Sequence, residues 1–191
     1  TRTEEELIDF VFPDLNNPVT DCVILAPKNT DCDNINEKIL NRIDGEAVEL
    51  LSVDTLIDAI EQEGFAPRNN LAFDYPTEYL NSQAFSKLPP HKLCLKPGAI
   101  VMLLRNLCIK QGLCNGVRLK VIEIGRKVLK CEIISGSKIG NIALLPRIAL
   151  NPDDETLPFT MQCLQFPIKL AYCMTINKAQ GQSLSRVGLH L

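Results

Sequence analysis

Apolar residues recur along the chain in two rhythms, and each rhythm predicts its own kind of element. Glu4 to Phe12 carries Leu7, Ile8, Val11 and Phe12, a stripe that fits an amphipathic helix stopped by Pro13. Cys22 to Ala26 is a continuous apolar run closed by Pro27, the pattern of a buried strand. Asn29, Thr30 and Asp31 are candidate caps for a helix whose inward stripe is Ile35, Ile39, Leu40 and Ile43, ending near Gly45. Ala47 to Val53 alternates and predicts a strand, and Thr55 to Phe65 a short helix. Ala66 to Pro90, punctuated by Pro67, Pro76, Pro89 and Pro90, predicts a connector.

From Lys92 the spacing changes. Ala99 to Leu104, Val117 to Ile124, Lys127 to Ile134 and Asn141 to Pro146 are short β-type runs separated by Gly-bearing turns, which predicts a small antiparallel barrel. Within Val117 to Ile124, Arg118 and Lys120 alternate with Leu119 and Val121, so the two cations share one face. The loop Arg105 to Gly116 is long for a hairpin and holds Arg105, Lys110 and an Asn115-Gly116 turn. A polar, basic loop on rigid strands is a contact element.

The last stretch predicts a buried strand over Leu170 to Met174 with Thr175 at its end. Asn177 is the expected cap of a helical turn through Lys178 to Leu184, and Arg186 to Leu191 is a further strand. Strand, turn, helix, strand, met twice, predicts an α/β domain whose ligands bind beyond the carboxyl ends of its strands. Asn29 and the segment Thr175 to Gln182 both fall at such an end. Free amides at a helix start, with Lys178 beside them, favour an anion. For Asn29 and Thr30, helix capping competes with a phosphate contact. Gly181 costs about 1 kcal/mol against Ala inside a helix, so it marks either a close backbone approach or an incidental surface position.

Composition narrows the class. At 191 residues, 46% hydrophobic and 23% charged, the chain can hold one large domain or one domain with a small insert. No apolar run reaches the ~18 residues a membrane span needs, and Thr1 to Phe10 is acidic, unlike a signal peptide. Eight cysteines are scattered without a CxxC, and His91 and His190 lie far apart in sequence. That pattern argues against zinc and for buried or half-buried thiols in a reducing compartment. The net charge of −3 conceals a polarity. Residues 1–86 contain 5 Lys/Arg and 18 Asp/Glu, a balance of −13, whereas 87–191 contain 15 and 5, a balance of +10. The basic half suits a polyphosphate partner; the competing account is that the two halves neutralise each other across an internal interface. Asp153-Asp154-Glu155 reads as a solvated turn. No GxxxxGK[ST] loop occurs, so ATP hydrolysis by P-loop chemistry is not expected of this chain alone.

Three stretches together carry a likeness. ILAPKNTDCDNIN (24–36), LPPHKLCLKPGAIVMLLRNL with GLCNGVRL (88–119) and FPIKLAYCMTINKAQGQSL (166–184) resemble the carboxy-terminal half of PIF-type DNA helicases, nearest to the helicase region of Helitron-like mobile elements. The resemblance implies a second RecA-like domain, a parallel sheet with flanking helices, built from 1–86 and 166–191 and incomplete at its C-terminal end. A small antiparallel β-barrel of the Src-homology type, 87–165, interrupts it. It implies that Thr175 contacts the DNA backbone, that Ala26, Pro27 and Asn29 belong to a motif touching DNA phosphates, and that Asn177 stands where many relatives have His. Lys178, Gln180 and Gly181 match the part of the motif between DNA groove and nucleotide cleft. Arg105, Lys110, Asn115, Arg118 and Lys120 belong to the barrel, which in the family leans over single-stranded DNA.

The same resemblance implies ATP and Mg as cofactors of a parent helicase of the 5′-to-3′ class, with none held tightly by this chain. Its partners would be single-stranded DNA and a missing amino-terminal RecA-like domain, with no membrane partner, in a reducing compartment and by family the nucleus. The arginine-bearing motif expected beyond Leu191 is also missing, so the chain is expected to be a segment of a helicase. A non-catalytic single-stranded nucleic-acid-binding module and a helicase-docking protein are the alternatives.

Overall fold

A computed structural model describes residues 3–16, 19–57, 76–82, 85, 88–152 and 160–191. Four short helices and thirteen strands arise from these segments. The first helix, α1 (Glu4–Val11), starts where Thr3 and Glu6 form a reciprocal capping box, which satisfies two amide donors at its amino end. It buries Ile8 and Val11 against the sheet that contains β1 (Cys22–Ala26), the strand the apolar run predicted. Helix α2 (Asn29–Arg42) buries Cys32, Ile35, Asn36, Ile39 and Leu40, each large apolar side chain among them contributing about 1.5–3 kcal/mol on burial. Its N-cap is Lys28, with no side-chain cap bond, and Asn29 is already helical. The capping role expected of Asn29, Thr30 or Asp31 is therefore corrected.

β1 is the centre of a three-stranded parallel sheet, flanked by β12 (Cys173–Thr175) and β13 (Arg186–Leu189). Gly188 lies where α1 crosses β13. A Cβ there would meet Val11 Cγ2 at 2.6 Å and Leu7 Cδ1 at 2.9 Å, so any larger residue would have to push these side chains aside as the helix closes onto the strand.

A second sheet is antiparallel and has five strands. In the order β11-β5-β6-β7-β8 they are Ile168–Leu170, Ile100–Leu103, Arg118–Ile124, Val128–Ile133 and Ile142–Pro146. The last four are the runs that the turn spacing predicted. Smaller antiparallel sheets complete the fold. One pairs β2 (Val48–Leu51) with β4 (Lys92–Leu95); the other orders β3 (Val53–Ile57), β10 (Thr160–Gln165) and β9 (Ile148–Leu150). The architecture is mixed α/β with several sheets, and α3 (Thr77–Ser82) lies within the stretch read as a connector. No described helix is long and apolar enough to cross a membrane.

Three expectations change. Ala47 to Val53 does not close a second parallel unit: β2 pairs antiparallel with β4, and three of its four side chains are exposed, unlike a strand sandwiched between helices. The helix expected over Thr55 to Phe65 begins inside β3, and its remainder lies outside the described residues, as does Asp153-Asp154-Glu155. Leu170 to Met174 is not one strand. Leu170 ends β11 in the five-stranded sheet and Cys173 opens β12 in the parallel sheet, with Ala171 and Tyr172 between.

That crossover is pinned from three sides. Asn36 Oδ1 accepts from the amides of Tyr172 at 3.0 Å and Cys173 at 2.8 Å, while its Nδ2 donates to Cys173 O at 2.9 Å. The Tyr172 hydroxyl accepts from the Ile100 amide at 3.0 Å, and its ring meets Phe12 edge-on at 5.5 Å. Burial pushes the Tyr172 phenol up to about 12. Both sheets share one core, continuous from Ile8 through Tyr172 to Leu145.

Candidate nucleic-acid interface

Parallel register sets the geometry of the candidate site. Ala26 lies opposite Thr175, so the carboxyl ends of β1 and β12 coincide and the segments leaving them emerge side by side. From β1 come Pro27, Lys28 and Asn29, all exposed. From β12 comes α4 (Ile176–Ala179), whose N-cap is the half-buried Thr175, not Asn177. The helix is one turn long where Lys178 to Leu184 was expected. Gln180 is extended at ψ 126°, and Gly181 turns left-handed at φ +80°, which stops the helix. No atom outside its chain neighbours would lie within 4 Å of a Cβ at Gly181, so a tight turn, rather than a close backbone approach, explains this glycine. Asn177, Gln180 and Gly181 are exposed and Lys178 is half-buried.

The loop Arg105 to Gly116 stands beside this edge. It closes on itself through a Cys108–Leu113 bridge, a single 3₁₀ turn (Ile109–Gln111) and a 2.7 Å bond from the Asn115 amide to Asn106 Oδ1. Gln182 joins loop and turn. Its Nε2 donates to Gly116 O and to Lys178 O, both at 3.3 Å. The end of the loop at Gly116 and the turn at Lys178 are thereby joined. Lys110 is exposed on the loop, and half-buried Arg105 reaches Asn151 O at 3.4 Å. Lys120 is half-buried on β6, opposite Ile100 and Glu132.

Arg118 is not a surface cation, which corrects its pairing with Lys120 as an exposed basic face. It is 1% exposed. Nη1 donates to Thr20 O at 2.8 Å, and Nη2 to Cys22 O at 2.8 Å and Ala171 O at 3.3 Å. Burial lowers its pKa to about 10. Strand alternation does put Arg118 and Lys120 on one side of β6, but that side is covered at Arg118 by the start of β1 and by the crossover. Lys96 and Arg147 are likewise turned onto carbonyls of the acidic half, Ile43 O at 2.6 Å and Leu51 O at 2.6 Å. Lys110, Arg126, Lys127, Lys130 and Lys138 remain exposed. The basic half therefore both fastens the fold and leaves cations in solvent.

The expected ATP and Mg set a test for the residues present. The described residues contain no group of three or more His, Cys, Asp or Glu able to hold a metal ion. Near the α4 turn they offer Lys178 and polar side chains, with no glycine-rich phosphate cradle in the sequence. These residues do not make a complete nucleotide site, and no chemical step through one is derived.

Gln182 and Asn36 are the residues that sequence reasoning missed. Asn36 carried a signal: it interrupts the apolar stripe of α2 four residues from both Cys32 and Leu40. Gln182 carried none, because its partner Gly116 lies 66 positions away.

Residues 78–124 match the family model described as DNA helicase Pif1, 2B domain. The chain is 34% identical over 106 residues to the rat ATP-dependent DNA helicase PIF1, and 32% identical over 102 residues to the human one. Each match covers 52% of this chain and 15% of the relative. The PIF7 helicase of Trypanosoma brucei brucei is 26% identical over 167 residues, covering 70% of this chain and 16% of its own. The chain thus spans about 15% of the length of these curated relatives. Among solved structures, Pif1 helicase from Candida albicans aligns with 99% of this chain and 44% of its own at 25% identity and a TM-score of 0.61. Bacteroides Pif1 bound to ssDNA covers 98% and 39% at 20% identity, TM-score 0.63, a likeness of fold. The resemblance to PIF-type helicases is shown by these matches.

Proposed function

We propose that this chain, similar over nearly all its length to part of the Pif1-type DNA helicases, supplies the single-strand groove and one wall of the ATP cleft of such a motor. In this reading 1–86 and 166–191 form the second RecA-like domain, and 87–165 form an inserted small β-barrel of the Src-homology type. Asn29, Arg105, Lys110, Asn115, Lys120, Thr175 and Asn177 contact the strand, chiefly its phosphates, since the chain has no Trp and only seven Phe and three Tyr for stacking. Arg118 leaves that set because its guanidinium is spent on carbonyls. Lys178, Gln180 and Gly181 face the cleft, opposite an amino-terminal RecA-like domain that would bring the phosphate loop, ATP and Mg. Movement in the 5′-to-3′ sense belongs to that whole assembly, in a reducing compartment and, by resemblance, the nucleus. This chain alone would grip but not hydrolyse.

One observation carries the reading. The Ala26–Thr175 register, with the loop Arg105 to Gly116 tied alongside by Gln182, collects the three sequence stretches at one edge. A fluorescent oligo-dT titrated at 50 mM and 200 mM salt tests it. Binding that weakens with salt, at a slope near −0.7 per phosphate contacted, and that weakens further in Lys110→Glu/Lys120→Glu, is expected. Absent binding, or affinity indifferent to both salt and variant, overturns it. A second reading, a strand-binding module with no motor, rests on the cations left in solvent at Lys110, Arg126, Lys127, Lys130 and Lys138. Fusion to a phosphate-loop-bearing RecA-like domain separates the two: DNA-stimulated ATPase activity supports the motor, and binding without it supports the module.

A further inference from the structure

Gln182 belongs to neither the strand-contact set nor the cleft set, yet it bonds Lys178 of the cleft set and Gly116, the chain neighbour of Asn115 in the strand-contact set. Its backbone amide donates to Ala179 O at 3.0 Å, which locks the residue onto the end of α4. Its side-chain amide has two hydrogens and lies between two carbonyls, Lys178 O on the α4 turn and Gly116 O at the end of the loop. Gly116 is itself held to the five-stranded sheet, its amide donating to Leu103 O at 2.8 Å. The rest of the loop is bonded chiefly to itself, through Leu107 to Leu113 and Asn115 to Asn106. One half-buried carboxamide therefore bridges the turn carrying Lys178 and Gln180 and the loop carrying Lys110 and Asn115.

We propose that Gln182 is a positioning residue that couples the loop Arg105 to Gly116 to the α4 turn, so that the two move as one unit. Resting on the function proposed above, this gives the motor a direct link between the cleft wall and the strand grip. The chemistry is specific to a donor. Glu at 182 has nearly the same shape but sets a carboxylate against two carbonyl oxygens. Met has similar length and no donor, whereas Lys restores donors to both carbonyls.

Peptide-resolved hydrogen exchange on the whole chain tests the coupling. In Gln182→Glu, exchange in 105–117 and 176–182 is expected to rise several-fold, with β7 and β8 unchanged. Gln182→Met should show a smaller rise, and Gln182→Lys should return both segments to near the wild-type rate. Unchanged exchange in 105–117 for Gln182→Glu overturns the proposal, as does equal exchange in the Lys and Met variants. Oligo-dT binding by the wild type is measured in parallel. If it is absent while exchange follows the expected order, the coupling stands and the strand-gripping function falls. If it is present while exchange does not follow that order, the reverse holds.

Discussion

The guanidinium of Arg118, on the five-stranded sheet, donates to the carbonyl of Cys22 at the start of the central parallel strand, at 2.8 Å. Two further bonds, to Thr20 O and Ala171 O, spread the same cation over the entry to β1 and the crossover from β11 to β12. A planar fork can reach three carbonyls from one position, which a lysine ammonium on its single stem cannot do with the same geometry. The charge has no carboxylate partner in bonding range among the described residues, so its burial costs energy that the carbonyl bonds offset.

Arg118→Met is expected to take the donor from two buried carbonyls and a half-buried one and to cost roughly 3 kcal/mol or more, read as a lowered midpoint in chemical denaturation. Arg118→Lys should cost less. Loss of oligonucleotide affinity should accompany unfolding only. An Arg118→Lys protein that stays folded yet loses binding would contradict the burial of this residue.

Asn36 makes a second prediction. Asn36→Ala removes the acceptor of the Tyr172 and Cys173 amides and a donor to Cys173 O, at a cost of roughly 2–4 kcal/mol. Amide exchange at Tyr172 and Cys173 should accelerate along with the drop in stability. Asn36→Asp keeps the acceptor but buries a charge, and should be no better than Ala.

Alkali should destabilise the fold. Burial pushes the thiols of Cys131 and Cys163 up to about 12 from 9.0, and the Tyr172 phenol up to about 12 from 10.0. Between those values the unfolded chain has lost the protons that the folded chain keeps, so their stability contribution is full below pH 9 and lost as pH rises toward 12. Arg118 opposes this, since its lowered pKa makes stability rise between about 10 and 12.5. Cys32, lowered by its bond from Cys173, opposes it too, but Cys94 and Cys173 are raised and join the first three, which leaves a net fall. Denaturation midpoints at pH 8 and pH 10.5, in reducing buffer, should show it, and Cys131→Val should flatten the slope.

Native thiol alkylation should divide the cysteines. Cys94, Cys108 and Cys114 are half-buried, whereas Cys22, Cys32, Cys131, Cys163 and Cys173 are buried. Mass mapping should find the first three modified well before the rest. Cys32 is the nearest to an exception in chemistry: a hydrogen bond from Cys173 lowers its pKa and raises that of Cys173. Its 1% exposure should still keep it slow. If the loop grips a strand, oligo-dT should slow Cys108 and Cys114 but not Cys94.

Local periodicity was enough to read α1, β1, α2 and the four strands β5 to β8, because each sets its apolar residues by its own repeat and needs no distant partner to do so. The motif stretches were legible by resemblance instead, and the structure sets the carboxyl ends of β1 and β12 side by side, with Gly116 tied to Lys178 through Gln182. Tertiary structure alone decided which sheet each strand joins, where the strand over Leu170 to Met174 breaks, and that Arg118 points into carbonyls while Lys110 stays in solvent. Those outcomes depend on groups 53 to 137 positions apart finding each other's unpaired amides and carbonyls. A pattern read along the chain records which residues avoid water. It does not record which buried polar group each of them will meet there.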